Sequence, residues 1–437
     1  MAGPALDEAL QRSTIGRLNL NLIPFLMLLY LVAYIDRSNI SVAALQMNGD
    51  LGLSTKMYGL GAGLFYVTYI LLEIPSNLML SRVGARRWIA RIMFTWGLVA
   101  AGMGLVRTPM QLYTMRLLLG AAEAGFTPGI IYYLSCWYPR SDRARAMSFF
   151  YIGAALASVV GLPLSGTLLG LNGWLGIAGW RWLFLLEGLP AFALGFAVLR
   201  YLPDTPASAP WLDAAQKAWL ARRLRLEGDS APVSHGVAYH VALRNRRVWL
   251  LSLFWFLQAF GTIGVTLFLP LIVHAVSGRS DFAVSLLSAL PFLFACVFMY
   301  VNGRHSDLSG ERARHLGIPM VAAGLLLAGA VYSTNQHVAY ALLVMTVALN
   351  WAATPVFWAV TTAYLAGPAA AVSIALINAV ANICGLALPP LMGFIKDTTQ
   401  TYDYALLLVA AALLVGGLLG LSLGGGEPAA TARPPST

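Results

Sequence analysis

Twelve long apolar runs order this chain, and no soluble fold accommodates them. A helix needs about 20 mostly apolar residues to cross a bilayer. Runs of that kind fall at 18–42, 57–80, 87–106, 110–131, 146–170, 181–202, 248–275, 282–303, 315–333, 337–366, 370–395 and 403–424. They are too long and too evenly apolar for barrel strands, which alternate over about 10 residues. The expected fold class is an all-α membrane protein with twelve transmembrane helices. Charge is scarce in the same sense: 11% of the 437 residues are charged and 59% are hydrophobic, against about 25% charged in soluble chains. That excludes a water-soluble enzyme and a disordered chain. The first run lacks the short apolar core and small-residue cleavage site of a signal peptide, so the first helix is expected to be retained. Cys136, Cys296 and Cys384 show no metal or redox spacing and read as small buried hydrophobes.

The net charge of +10 would suggest a nucleic-acid partner in a soluble protein. Its distribution gives another meaning. With the N-terminus inside, 20 of the 28 basic residues fall on one side of the membrane, 5 on the other and 3 within spans. This is the positive-inside pattern. It predicts a multi-pass protein of the cell (inner) membrane with both termini cytoplasmic, and no nucleic-acid partner.

One long break, 203–247, separates six runs from six. It opens with Pro203, Pro206 and Pro210, and Trp211–Glu227 reads as an amphipathic helix resting on the inner leaflet, with Arg222, Arg223 and Arg225 on its polar side. The expected units are 1–202, the linker 203–247, 248–424 and a tail at 425–437. The halves echo each other. Ser81-Arg82-Val83-Gly84-Ala85-Arg86-Arg87 follows the second run, and Gly303-Arg304-His305-Ser306-Asp307-Leu308-Ser309-Gly310-Glu311-Arg312 follows the eighth. Gly84 and Gly310 lie 226 residues apart. Such six-helix repeats mark secondary transporters that rock two bundles about a central site.

On these turns the chain resembles the major facilitator superfamily, whose turn motif runs G-x-x-x-D-R-x-G-x-R/K. The first copy keeps Arg82, Gly84 and Arg86, with Ser81 in place of the usual acid and Asn77 in place of the first glycine. The second keeps Gly303, Asp307, Gly310 and Arg312. The resemblance is closer to the anion:cation symporter branch. It rests on Tyr34-Ile35-Asp36-Arg37-Ser38-Asn39, Glu73-Ile74-Pro75-Ser76-Asn77, Arg116-x-x-x-Gly120-x-x-Glu123-Ala124-Gly125 and Glu187-Gly188-Leu189-Pro190. Gly84–Met93 and Arg116–Gly129 look most like the tartrate and 4-hydroxyphenylacetate permeases of that branch. The resemblance implies two pseudo-symmetric six-helix bundles, and a central cavity lined by the first and fourth spans.

Seven charged residues lie inside spans, all in the first half: Asp36, Arg37, Glu73, Arg91, Arg116, Glu123 and Glu187. Each costs about 2.5–3.5 kcal/mol or more at the bilayer centre. Arg91 is placed to snorkel to the interface. Glu73 is expected to pair with Arg82 or Arg86 of the basic turn, and Glu187 to make a helix-packing hydrogen bond. Four remain. Arg116 and Glu123 are seven apart, about 10.5 Å along one helix face, and Gly120 between them leaves room for a ligand or a neighbouring helix. Arginine stays protonated and offers a planar fork that fits a carboxylate, so Arg37 and Arg116 are the anion-binding candidates. Acids can be neutralised when desolvated, so Asp36 and Glu123 are the proton carriers. A purely structural Arg–acid pair stays open.

Polar side chains recur at helical spacing: Tyr30 and Tyr34, Tyr66 and Tyr69, Gln258 and Thr262, Asn350, Thr354, Trp358 and Thr362, Asn378 and Asn382. They serve either substrate contact or helix packing. Gln258 is a candidate on this spacing; the resemblance adds Tyr34, Tyr69, Trp358, Asn378 and Asn382.

The expected function is proton-coupled uptake of a small organic anion, such as tartrate or another hydroxy or aromatic carboxylate, by a monomer. No cofactor is expected, since the proton gradient supplies the energy. An exchanger or drug-type exporter of the same fold is the alternative. A transporter-like sensor is disfavoured, because neither the linker nor the tail is long enough for a signalling domain. No metalloprotease, serine-hydrolase, P-loop or dinucleotide motif supports an enzyme.

Overall fold

The computed structural model describes residues 4–228, 243–365 and 370–423. Every regular element in them is helical. Among the described residues, eleven helices are long and apolar enough to cross a membrane. The twelfth is the fifth span, Arg140–Leu169, whose charged start leaves Leu156–Leu169 as its apolar part. At 30 residues it is still about 45 Å long.

The spans follow the expected windows with two additions. A helix Pro4–Asn21 precedes the first span, Ile23–Asp50. Pro24 in the first turn of that span breaks the ladder between them, as proline does by lacking an N–H. In the linker, Ala214–Gly228 is helical, close to the expected Trp211–Glu227. Asp213 and Gln216 exchange backbone-to-side-chain bonds at its start. This helix is tied to the N-terminal one through Arg222 and Asp7, 2.7 Å apart, and through Arg17, which donates to the Trp211 carbonyl at 2.9 Å. The linker residues 229–242 and the tail beyond 423 lie outside the described residues.

Glycine contacts reveal the repeat more plainly than the turns do. The third span, Ala85–Gly102, packs on the sixth, Gly179–Tyr201, where a Cβ on Gly97 or Gly188 would strike the other helix's backbone. The ninth span, Ala313–Tyr332, packs on the twelfth, Asp403–Leu423, with Gly317 and Gly417 in the equivalent roles. The offsets, 220 and 229 residues, bracket the 226 between the basic turns. Membrane helices gain little from apolar burial alone, so close backbone approach at small residues holds them together.

The first basic turn recovers its missing acid from elsewhere. Asp204, at the start of the linker, accepts from the Arg86 backbone N–H at 2.9 Å and lies 3.6 Å from its guanidinium. Gly84, at φ +96°, makes room for that carboxylate. The expected pair between Glu73 and the basic turn is therefore not the one formed by Arg86. In the second turn, Arg312 pairs with Asp307 at 2.7 Å, and Gly310 closes the helix at φ +69°. Of the cysteines, only Cys384 is buried; Cys136 is exposed, which departs from the expectation.

The halves meet at the end remote from the basic turns. Tyr58 donates to the Leu267 carbonyl at 2.8 Å, Gln46 to Asp281 at 2.8 Å, and Asp397 accepts from the backbone of Thr55 and Lys56 at 3.0 and 2.8 Å. The second span, Thr55–Val83, seats Gly59 and Gly63 against the backbone of Leu386 and Pro389 in the eleventh span, Ala370–Thr399. The structure is closed at that end.

These contacts distinguish two kinds of glycine. Gly97→Ala should cost about 1–3 kcal/mol by overpacking against backbone that cannot move aside. Gly303, in the motif but with open space around it, should accept alanine at no cost, or with a gain of up to about 1 kcal/mol. Thermal unfolding of the two purified variants checks the pair; equal losses would refute the packing account.

Candidate functional site

Arg37 stands 14 residues into the 28-residue first span, about 21 Å along it and so near mid-membrane. Its Nη2 donates to Oε1 of Glu123 in the fourth span. Glu123 is fully buried, whereas Arg37 keeps 23% of its side-chain exposure. The Arg37 guanidinium also lies 5.2 Å from the Tyr69 ring centroid and 5.6 Å from that of Phe65. Its Nε is buried without a hydrogen-bond partner, as is Oε2 of Glu123. The pair therefore retains one unused donor and one unused acceptor.

The fourth span is broken to make this possible. Its first half, Pro109–Glu123, ends at Glu123, and its second, Phe126–Trp137, begins after Gly125 at φ +84°. A left-handed residue costs glycine nothing, and a Cβ there would also strike Ser76. Interrupted helices of this kind mark binding sites in transporters. Gly120 settles the choice left open by its spacing: a Cβ on it would strike the Phe65 carbonyl, so a neighbouring helix fills the room.

Arg116 takes a different position from Arg37. It is 2% exposed and donates to the Gly61 and Ala62 carbonyls at 3.2 and 3.3 Å. Phe65 lies 5.0 Å from it, so one ring separates the two arginines. Its fork is spent on the second span. Asp36, one residue before Arg37, turns about 100° away from it. Its carboxylate accepts from Trp96 at 2.5 Å and from Asn39 at 3.1 Å, inside the first half. Glu73 is buried and faces Arg37 across the second span. Arg91 lies over the Trp88 ring at 4.0 Å. Glu187 accepts from Ser165 at 2.7 Å, as a packing hydrogen bond should.

In the second half, Tyr34 reaches across to Trp351, with ring centroids 6.2 Å apart. Trp351 is 6% exposed, and its indole N–H has no hydrogen-bond partner. Gln258 is fully buried and donates to the Asn350 carbonyl and Thr354, at 2.8 and 3.0 Å, tying the seventh span to the tenth. A π-helical turn, Phe260–Val265, follows it; such turns are frequent at functional sites. Trp255 stacks on Phe357 at 4.6 Å, stands edge-on to Trp358 at 5.2 Å, and donates to Asn378 at 3.2 Å. Asn382 is half-buried, within a turn of Gly385, which takes the Tyr66 ring against its backbone.

The structure thus brings Arg37, Glu123 and Tyr69 together with Tyr34 beside them, and sets Arg116, Asp36 and Gln258 into packing layers. Sequence reading missed Phe65, Trp351, Asn39 and Trp96. Phe65 and Trp351 adjoin residues already on polar stripes, and rings beside an intramembrane arginine are a readable signal. Nothing local marks Trp96 as the partner of an acid 60 residues away.

Residues 26–389 match the model of the Major Facilitator Superfamily. A protein of Agrobacterium vitis named "Putative tartrate transporter" is 41% identical over 423 residues, covering 96% of each chain. The "Quinolone resistance transporter" of Acinetobacter baumannii is 38% identical, covering 94% of each. The crystal structure of a bacterial homologue of the human lysosomal transporter Spinster, inward-facing and occupied, aligns with a TM-score of 0.73 at 18% identity, covering 92% of this chain and 96% of that one. The twelve-span fold, its repeated halves and these relatives agree: this chain is a transporter of the Major Facilitator Superfamily, a multi-pass membrane protein and not an enzyme.

Proposed function

We propose that the transporter is a proton-coupled symporter that takes up a small organic carboxylate, a hydroxy acid such as tartrate or an aromatic acid. The observation that carries this reading is the Arg37–Glu123 pair, with Arg37 partly exposed and Glu123 sealed. An incoming carboxylate and Glu123 compete for the same guanidinium. When the substrate takes Arg37, Glu123 is left buried without its counter-ion, a state that costs several kcal/mol. A proton on Glu123 removes that cost. Anion and proton then bind together, and a monoanion leaves the site as neutral as it was when empty. A dianion needs a second proton, for which Asp36 is the carrier.

The coupling serves an energetic need. Moving one negative charge inward against 100 mV costs about 2.3 kcal/mol, and a co-transported proton cancels it. The tyrosine and tryptophan rings around Arg37 supply flat apolar walls, and the relative named for tartrate supports a carboxylate. The distribution of basic residues supports an inner-membrane orientation with both termini cytoplasmic. In that orientation the closed end faces outward. Opening it requires the second and eleventh spans to part at Gly59, Gly63 and Pro389, as rocking of the halves would do. Export is the second reading, favoured by the relative named for quinolone resistance. Right-side-out and inverted vesicles separate the two by the direction of gradient-driven accumulation.

In proteoliposomes, an acid-outside gradient should drive tartrate or 4-hydroxyphenylacetate inward. Glu123→Gln should abolish uphill accumulation while sparing some counterflow; normal accumulation by that variant would sink the proton role. Arg37→Ala should weaken binding by at least about tenfold, the scale of a charged hydrogen bond. Unchanged affinity would end the anion-clamp assignment. Arg116→Lys, which loses the fork on two carbonyls, should lower thermal stability first. A larger loss of affinity than in Arg37→Lys would return Arg116 to the substrate.

A further inference from the structure

A second pair of acids lies inside the first half, away from the exposed face of Arg37. Asp36 is 1% exposed and Glu187 4%. Asn39, one turn after Asp36, donates to Asp36 and also reaches Glu187. Ser165 of the fifth span donates to one Glu187 oxygen, and Trp96 of the third span donates to Asp36. Four spans therefore converge on two carboxyl groups, and neither makes a salt bridge among the described residues. The other charges facing Asp36 are Glu123 and Arg116 of the fourth span, and Arg116 is held on the carbonyls of Gly61 and Ala62.

The hydrogen-bond inventory does not close with both acids ionised. Oε2 of Glu187 and Oδ1 of Asn39 are both buried acceptors with no donor. Buried acceptors are ordinarily satisfied. A hydrogen on Glu187 Oε2 converts that orphan acceptor into a donor beside an orphan acceptor. Two carboxylates enclosed together also cannot both stay charged, which is how paired acids come to share a proton. We infer that Asp36 and Glu187 share one proton through Asn39, forming a proton-holding site distinct from the Arg37–Glu123 pair. Glu187 acts through Asp36 as a positioning residue: its presence raises the proton affinity of the carrier. The proton comes from the aqueous phase and returns to it, with no bond broken but O–H. This rests on the symport reading and deepens it, because it places the second proton that a dianion requires.

The test is the pH profile of gradient-driven tartrate uptake by the full-length protein in proteoliposomes. Glu187→Gln removes the like charge and should shift the profile to lower pH by about one unit. Ser165→Ala removes a donor to the charged form and should shift it to higher pH. A merely structural role would lower the rate of both variants and move neither profile. Should Glu187→Gln fail to fold, Ser165→Ala and the infrared carboxylic-acid band of the wild-type protein decide. The band should persist at neutral pH and disappear at alkaline pH. Superimposable profiles, or no protonated carboxyl band at neutral pH, overturn the shared proton. Wild-type uptake indifferent to the proton gradient, with the band present, overturns the symport reading instead.

Discussion

Charge inside a membrane must be compensated, and the first half of this protein is arranged around that requirement. Arg37 carries a charge near the middle of the first span, where it costs at least about 2.5–3.5 kcal/mol to leave unmatched. Glu123 matches it from a helix that stops at that residue and turns through Gly125. The break in the fourth span, the glycine at 120 and the ring of Phe65 all serve the placement of these two side chains. A buried ion pair is a poor source of stability, since desolvation offsets most of its attraction. Its value lies in being exchangeable: another carboxylate can take the place of Glu123, provided that Glu123 is neutralised.

Much of this was legible in the sequence, for a physical reason. Intramembrane charge is so costly that every instance asks for an explanation, and seven instances in 437 residues make a short list. The twelve spans and the repeated turns were readable because apolar length and glycine spacing are local properties. The roles within the list were less so. Arg37 and Arg116 are the same residue type in adjoining cavity-lining spans, yet one keeps partial exposure and the other is spent on two carbonyls. That difference depends on a few degrees of helix rotation, which no spacing rule reports. Asp36 turned inward to Trp96 for the same reason, and Glu187 joined it.

The basic turns show a different kind of loss. Position 81 lacks the acid of the motif, and the sequence alone made the first turn look defective. Asp204 supplies the carboxylate from a loop more than 100 residues away. The compensation was invisible because it crosses the chain, whereas the motif is read along it. The second-half polar stripes divide similarly: Gln258 and Thr354 bond each other within the half, while Trp351, beside the stripe, faces Tyr34 across the interface.

These features meet in one exchange, carboxylate for carboxylate on Arg37, with a proton bound as Glu123 lets go. Its most direct measure is the proton uptake that accompanies substrate binding to the purified protein in weakly buffered solution. About one proton should be taken up per bound 4-hydroxyphenylacetate monoanion, as linkage between the two sites requires, and Glu123→Gln should bind with almost none. Binding by the wild-type protein without proton uptake, or equal uptake by the variant, would contradict the account.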